Sequence, residues 1–550
     1  MLPQNMATIG RAVLDKRQYE LYSSIIASFD GIELHDTDDS EEKNGVIPFK
    51  YKSKLYLLNI NIKQNQMPCV FTFSKHDYPH YLPAKKFDMR QICLFENTEQ
   101  IFFQIPLEDK IRLVIQKLLS LENMGLKKIS KEYLKEFPIY WNRVCEKDKY
   151  IYQLFLSHDP DFEWLIPRFF KCGNRILLRF CSDELFFNDE CNKMNFSHSN
   201  GIFLKIFNTD NILPPLNGNK WNVSDILDLI ANPQIERIAS AAYDIISSTS
   251  YSEKYLTIVF EINGFYVACD LEFKNKGTAK LINKIRNETV RVTHRKISRC
   301  DFAYLSHRIG NDNMLNDKKI LLIGCGSLGS YVAEELVNCG CMNLTIYDSD
   351  DFDYENTFRH KLGTYWQGYN KAKIIEYELN EKHPQINVHA FPSKFNADVN
   401  IDDFDLIVST VGSSDTQFEF NKAFSEKYAG KPVIYAWLEG DGSSSHALCT
   451  FNNNHGCYNC CFTNENGTAS PNKYNFSNPQ DTHYLTNCCG GVRVAYGSST
   501  LLSASLITLK AVKDAFSTED QNAFIYHFVG NRVIKDTNVL AERCVVCNDN

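Results

Sequence analysis

The chain has 550 residues, 44% of them hydrophobic and 23% charged, with a formal net charge of -8. At roughly 150 residues per domain such a length predicts about three domains, and no apolar run approaches the roughly 18 residues that span a bilayer. A pI near 6.0 gives no general attraction to phosphate backbones and argues against a direct nucleic-acid partner.

The opening residues lack the basic end and apolar block of a secretory signal, which predicts a cytoplasmic protein. In a reducing compartment the 19 cysteines become candidate metal ligands, nucleophiles or small buried hydrophobes rather than disulfides. Apolar residues from Ile9 to Phe29 recur at helical spacing, and strand-like runs follow at Gly31 to Leu34, Val46 to Lys50, Leu55 to Ile62 and Cys69 to Phe73. Pro79 and Pro83 then break any regular element, and "IPLEDKIRLVIQKLLSLE" resumes as an amphipathic helix with Pro106 in its first turn. The first 150 residues therefore read as an α+β domain. Residues 151-300 mix aromatic-rich pieces with plausible strands, show no internal repeat, and are expected to form an intervening domain of unknown fold.

From Arg299 onward strands and helices alternate: Ile320 to Gly324, Leu328 to Asn338, Asn343 to Asp348, Lys371 to Asn380, Asn387 to Ala390, Leu406 to Thr410, Thr416 to Tyr428 and Val433 to Leu438. Alternation of this kind predicts a Rossmann-like α/β domain over 301-550, with a mostly parallel sheet covered by helices. Gly324, Gly326 and Gly329 stand at GxGxxG spacing between strand and helix, where missing β-carbons let a backbone approach phosphates at the positive helix end. Asp348 ends the next strand, where a carboxylate can accept ribose hydroxyls. These features alone leave NAD and ATP equally open.

The continuation "DSDDFDYENTFRH" and then "GYNKAK" resembles the ThiF family and the ubiquitin-activating enzymes. That resemblance implies ATP and Mg2+, with Asp350 and Asn356 completing the pocket and Arg359 and Lys371 on the triphosphate. It also implies that Arg308, in "LSHRIG", reaches a γ-phosphate, across a homodimer in the family. The chemistry agrees, because attack of a carboxylate on an α-phosphate needs cations spread along the phosphates. After "DLIVST" the family usually places an acid that helps with the metal; here Gly412 stands there, and Asp415 or Asp350 is left to take that part.

"GCYNC" and "RCVVC" supply Cys457, Cys460, Cys544 and Cys547, two CxxC pairs suited to tetrahedral structural Zn2+. Between them Cys488 and Cys489 precede Gly490 and Gly491 and a long helical run, where a thiolate can be stabilised. In activating enzymes that resemble this chain, a cysteine of this region takes the acyl group from the adenylate; Cys489, directly followed by glycine, is the first choice and Cys488 the second.

The helix, strand meander, proline-bearing loop and helix of the first domain, with "ICLF" ahead of the second helix, resemble a ubiquitin-conjugating domain. By that resemblance Cys93 accepts the activated carboxyl group, although alone it would read as a buried thiol. The His-Pro-Asn usual upstream is missing: the position eight before Cys93 is Lys85, and His80 or Asn97 is left to stabilise an oxyanion. A conjugating domain ahead of a ThiF-like activating domain resembles the fused proteins of bacterial CBASS antiphage operons. The resemblance implies an acyl relay from adenylate to Cys489 to Cys93 to a target lysine, with a cGAS-like nucleotidyltransferase as the protein attached. The alternatives are a ThiF-like adenylyltransferase for sulfur-carrier activation and a non-catalytic nucleotide-binding scaffold.

Overall fold

The computed structural model describes residues 13–35, 42–60, 67–74, 78–83, 89–95, 105–146, 150–172, 175–182, 200–232, 234–275, 277–309, 313–383, 385–396, 399–439, 442–452, 455–476, 484–486, 492–494 and 496–548. By internal packing, the described residues up to Arg299 form one unit and those from Cys300 onward a second. Among the described residues, no helix is long and apolar enough to cross a membrane.

The first unit opens with helix Lys16–Ala27, fixed at its start by a reciprocal cap between Asp15 and Gln18. Strands Ile32–Leu34, Val46–Tyr51, Lys54–Asn59 and Cys69–Phe73 form an antiparallel meander, which Met89–Ile92 and Tyr81–Pro83 extend to six strands. Its inner face (Ile47, Phe49, Tyr56, Leu58 and Val70) packs with Ile111, Val114, Ile115 and Leu118 of helix Leu107–Glu122. The i, i+3, i+4, i+7 spacing of those four helix residues is what buries one stripe of the helix.

Residues 150–299, illegible in sequence, fold as a mixed eight-stranded sheet. Three helices of seven to nine residues, Val223–Ile230, Ser240–Ser248 and Leu281–Asn287, share one of its cores.

The second unit is built on another eight-stranded sheet. Strands Asn387–Phe391, Asn343–Tyr347, Lys319–Ile323, Leu406–Ser409 and Val433–Leu438 lie parallel in that spatial order. The sequence reading of a mostly parallel sheet needs correcting here. Ser444–Thr450, Phe524–Val529 and Arg532–Asp536 add three antiparallel strands, the last two joined at Gly530 and Asn531, which hold positive φ of 53° and 64°. Such paired left-handed residues close a tight hairpin and reverse the chain. Ile320, Leu321, Leu322, Leu406, Ile407, Val408 and Ile434 are fully buried at the centre, each contributing roughly 1.5–3 kcal/mol by burial. The chain order reverses between Lys319–Ile323 and Leu406–Ser409, so a crevice opens beyond their C-terminal ends.

Candidate functional site

The glycine turn sits in that crevice. Gly324 takes φ +89°, and its carbonyl accepts a hydrogen bond from Thr410 Oγ1 at 2.7 Å, which ties the turn to the neighbouring strand. A β-carbon on Gly329 would lie 2.1 Å from the Gly324 oxygen, so no larger residue fits without moving backbone. Gly326 is the N-cap of helix Ser327–Asn338 and offers no capping side chain. A β-carbon there would meet no atom within 4 Å. Uncapped N–H groups and open space at a positive helix end are a place for an anion.

These residues open into a cavity of about 540 Å³ lined by Gly326, Asp350, Asn356, Arg359, Lys371 and Glu439, among others. Lys371 Nζ stands 3.3 Å from Asp350 Oδ2, with Lys371 buried and Asp350 exposed. The Arg359 Nε is buried and meets no hydrogen-bonding partner, an arrangement that an anionic ligand would complete. Asn356 is buried and closes a 3-10 turn by accepting the Asp353 N–H at 3.2 Å. Phe358, one residue before Arg359, holds a left-handed φ of 71°, a strain that bulky residues adopt only under local constraint.

Asp348 has a structural task in addition to the one the sequence suggests. Its Oδ2 accepts the Cys325 N–H at 2.5 Å and its Oδ1 the Asp350 N–H at 2.8 Å, so it braces the glycine turn. Burial outweighs those bonds and raises its pKa above the ordinary carboxylate value. Asp415 is exposed in the first turn of helix Ser414–Lys427 and is not among the cavity's lining residues, whereas Gly412 is. Arg308 belongs to the 3-10 turn Ser306–Ile309, but its side chain lies outside the described atoms. Cys488 and Cys489 lie outside the described residues.

Two groups that sequence reasoning missed shape this cavity. His360 Nε2 donates to the Cys325 carbonyl at 2.8 Å, while its Nδ1 accepts the Leu362 N–H at 3.1 Å. Burial pushes its pKa down to about 4, so the ring is a neutral strut beneath the turn. Glu439 accepts from Trp437 Nε1 and Asn472 Nδ2, each at 3.1 Å, and lies 3.2 Å from His446 Nε2. His446 in turn meets His527 at 2.8 Å between their Nδ1 atoms. The only sequence signal for either was an unassigned histidine or acid beside a recognised motif.

The cysteine pairs converge. Cys457 and Cys460 Sγ atoms are 3.8 Å apart, Cys457 and Cys544 3.7 Å, and Cys460 and Cys547 3.6 Å, all buried. A tetrahedral Zn–S distance of about 2.3 Å requires S–S edges of about 3.8 Å, so the donor set and its size fit structural zinc. Mutual hydrogen bonding, led by Cys457, lowers the Cys460 pKa from the ordinary thiol value.

In the first unit Cys93 is half-buried just past strand Met89–Ile92, with its Sγ 3.8 Å from the Phe95 carbonyl. Lys117 from helix Leu107–Glu122 donates to the Leu94 carbonyl at 3.3 Å and so anchors this segment. His80 does not offer a spare ring nitrogen: Nδ1 lies 3.0 Å from Glu136 and Nε2 3.3 Å from Glu132. Hydrogen bonding to Glu136 raises its pKa above the ordinary histidine value, and both ring nitrogens face those carboxylates. Lys85 and Asn97 lie outside the described residues.

Residues 305–539 match the ThiF family model. The ATP-dependent ubiquitin transferase-like protein Cap2 of Pseudomonas aeruginosa is 24% identical over 257 residues, 46% of this chain and 46% of that protein. Cap2 of Escherichia coli strain TW11681 is 23% identical over 311 residues, 52% of each chain. The adenylyltransferase and sulfurtransferase UBA4 of Candida glabrata is 26% identical over 221 residues, 39% of this chain and 47% of that protein. The chain thus spans about half the length of the curated relatives it matches. The crystal structure of E. coli MccB with ATP is 18% identical, covers 43% of this chain and 68% of that one, and aligns with a TM-score of 0.33.

Proposed function

With a ThiF family domain in the C-terminal half as the premise, we propose that the chain adenylates the C-terminal carboxylate of a partner protein with ATP. The observation that carries this is the convergence of the uncapped helix at Gly326 with Arg359 and Lys371 on one cavity. The backbone N–H groups and the two cations stabilise phosphate charge as the carboxylate attacks the α-phosphate and pyrophosphate leaves. Asp350, exposed at the rim, is the carboxylate placed to meet Mg2+, which supplies charge neutralisation on the leaving phosphates. Asp348 and the neutral His360 keep the turn in shape, and Asp348 is also the carboxylate read as accepting ribose hydroxyls. Cys457, Cys460, Cys544 and Cys547 would hold a structural Zn2+, which would tie the C-terminal residues to the 3-10 turn Tyr458–Phe462.

The finer reading is a relay. Cys489, with Cys488 as second choice, displaces AMP to form a thioester, which passes to Cys93 of a ubiquitin-conjugating-like domain and then to a lysine of the target. A thiolate is a good nucleophile near neutral pH, and its thioester stays activated toward amines. Similarity to the Cap2 proteins, named as ATP-dependent ubiquitin transferase-like, supports a ubiquitin-type transfer; antiphage conjugation as the setting, a cGAS-like nucleotidyltransferase as the attached protein and a homodimer as the assembly are part of the same proposal. Similarity to UBA4 favours a second reading, sulfur-carrier activation, whose product is a thiocarboxylate.

The adenylation step is tested by exchange of labelled pyrophosphate into ATP in the presence of candidate partner proteins, a cGAS-like nucleotidyltransferase first. Exchange that requires the partner's terminal residue is the expected result. Tight ATP binding without exchange, with that partner and with sulfur-carrier proteins, contradicts adenylation.

A further inference from the structure

The solvent-side face of the first sheet carries a second cysteine that the relay does not use. Strands Cys69–Phe73 and Met89–Ile92 run antiparallel, with Val70 opposite Ile92 and Phe71 opposite Gln91. One further step of that register sets Cys69 opposite Cys93. On its other side the Cys93 N–H donates to the His80 carbonyl at 2.8 Å, continuing the pairing of Tyr81 with Ile92, so Cys93 still keeps its place in the sheet. Alternation sends Val70, Thr72 and Ile92 into the core, at 0%, 1% and 3% exposure, and leaves Cys69, Phe71, Gln91 and Cys93 together on the opposite face. Gln91 Nε2 reaches Cys69 Sγ at 3.6 Å, and both thiols are half-buried. They are also close enough to interact electrically: the Cys69 pKa is raised first by burial and then by charge on Cys93.

We propose that Cys69 and Cys93 form a peroxide-sensitive thiol pair that closes a cross-strand disulfide. The regulatory meaning, withdrawal of Cys93 from acyl transfer until a dithiol restores it, rests on the role proposed for Cys93 above; the disulfide chemistry does not. Opposed residues on antiparallel strands have Cα atoms about 4.5–5.5 Å apart, inside the range of about 4.4–6.8 Å that disulfides span. One thiolate attacks the peroxide O–O bond, becoming a sulfenic acid and releasing hydroxide. The second thiol attacks that sulfur, the S–S bond forms, and the sulfenic oxygen leaves as water. In sum, two thiols lose two electrons and two protons, and one peroxide becomes two waters. Cys325, Cys449 and Cys461 are fully buried, out of reach of peroxide, and stay out of this chemistry.

The test uses the full chain, reduced, freed of reductant, exposed to hydrogen peroxide, capped with iodoacetamide while folded, and digested without reductant. The expected product is the Cys69 peptide joined to the Cys93 peptide, lighter than their sum by two hydrogens and separated again by dithiothreitol. In Cys69→Ala the same dose instead carries Cys93 to the sulfinic acid, which dithiothreitol does not reverse. Equal sulfinic acid at Cys93 in wild type and Cys69→Ala, with Cys69 fully alkylated in the wild type, overturns the proposal. The two readings fail separately. A missing cross-link leaves the acyl role of Cys93 untouched, and a Cys93→Ala chain that still conjugates removes that role whatever the cross-link shows.

Discussion

The cavity of the C-terminal unit and the cysteine-bearing face of the first unit are built in opposite ways. In the C-terminal unit the site is made of backbone: a left-handed Gly324, a Gly329 that excludes any β-carbon, and a helix end left uncapped at Gly326. In the first unit the reactive face is made of register, since nothing local to Cys93 brings Cys69 opposite it. Backbone-built sites demand particular residues at consecutive positions, whereas register-built sites demand only a correct fold. A substitution in the turn should therefore cripple one unit and spare the other.

Gly329→Ala gives the largest effect. Its β-carbon cannot coexist with the Gly324 oxygen at 2.1 Å, so about 3 kcal/mol or more of local stability should be lost and ATP binding with it. Iodoacetamide labelling of Cys93 should be unchanged. Gly326→Ala, which meets no protein atom within 4 Å, should fold normally and bind ATP more weakly, as calorimetry can show. Equal behaviour of the two variants would break the comparison.

Next comes the metal cluster. Cys544→Ser should reduce bound zinc from about one per chain to none and lower Tm by about 5–10 °C, read by elemental analysis and thermal unfolding. Retention of zinc by the variant would place the metal elsewhere. Third, Arg359→Ala and Lys371→Ala should each slow pyrophosphate exchange by on the order of 10²-fold while leaving Tm near wild type.

The last effect is a pH dependence common to both units, absent at neutral pH. Burial pushes His360 and, in the first unit, His294 down to about 4. His294 Nε2 accepts the Trp221 N–H at 3.0 Å. Below the ordinary histidine pKa near 6.5 the unfolded chain binds a proton that the folded chain does not. Stability is thus full above pH ~6.5 and is lost as pH falls toward about 4, by at most about 3 kcal/mol for each ring. His360→Gln should flatten that slope for the C-terminal unit alone, in urea unfolding followed against pH.

Much of this fold was legible because its signals are local. The strands and helices from Lys319 onward, the glycine turn and both CxxC pairs follow from short spacings, and the structure sets Gly326, Arg359 and Lys371 on one cavity. The antiparallel strands Ser444–Thr450, Phe524–Val529 and Arg532–Asp536 were missed because they fall outside the regular strand–helix alternation: the first follows Val433–Leu438 with no helix between, helix Ser498–Ser517 separates it from the second, and the last two form a hairpin. The sheet of residues 150–299 was illegible for a related reason: its pairings mix parallel and antiparallel strands, so no single period marks them. His360, Glu439 and Cys69 act through partners brought near by folding. A sequence carries those contacts only implicitly.

The central claim, that an acyl group activated in the C-terminal unit comes to rest on Cys93, is tested most directly with Cys93→Ser expressed in the native cells. An ester to serine survives handling that destroys a thioester, so mass spectrometry should find residue 93 joined to the C-terminal peptide of a partner protein. That adduct should vanish when Cys488 and Cys489 are also replaced. A chain that exchanges pyrophosphate with its partner yet never carries an adduct at residue 93 would contradict the relay and favour sulfur-carrier activation.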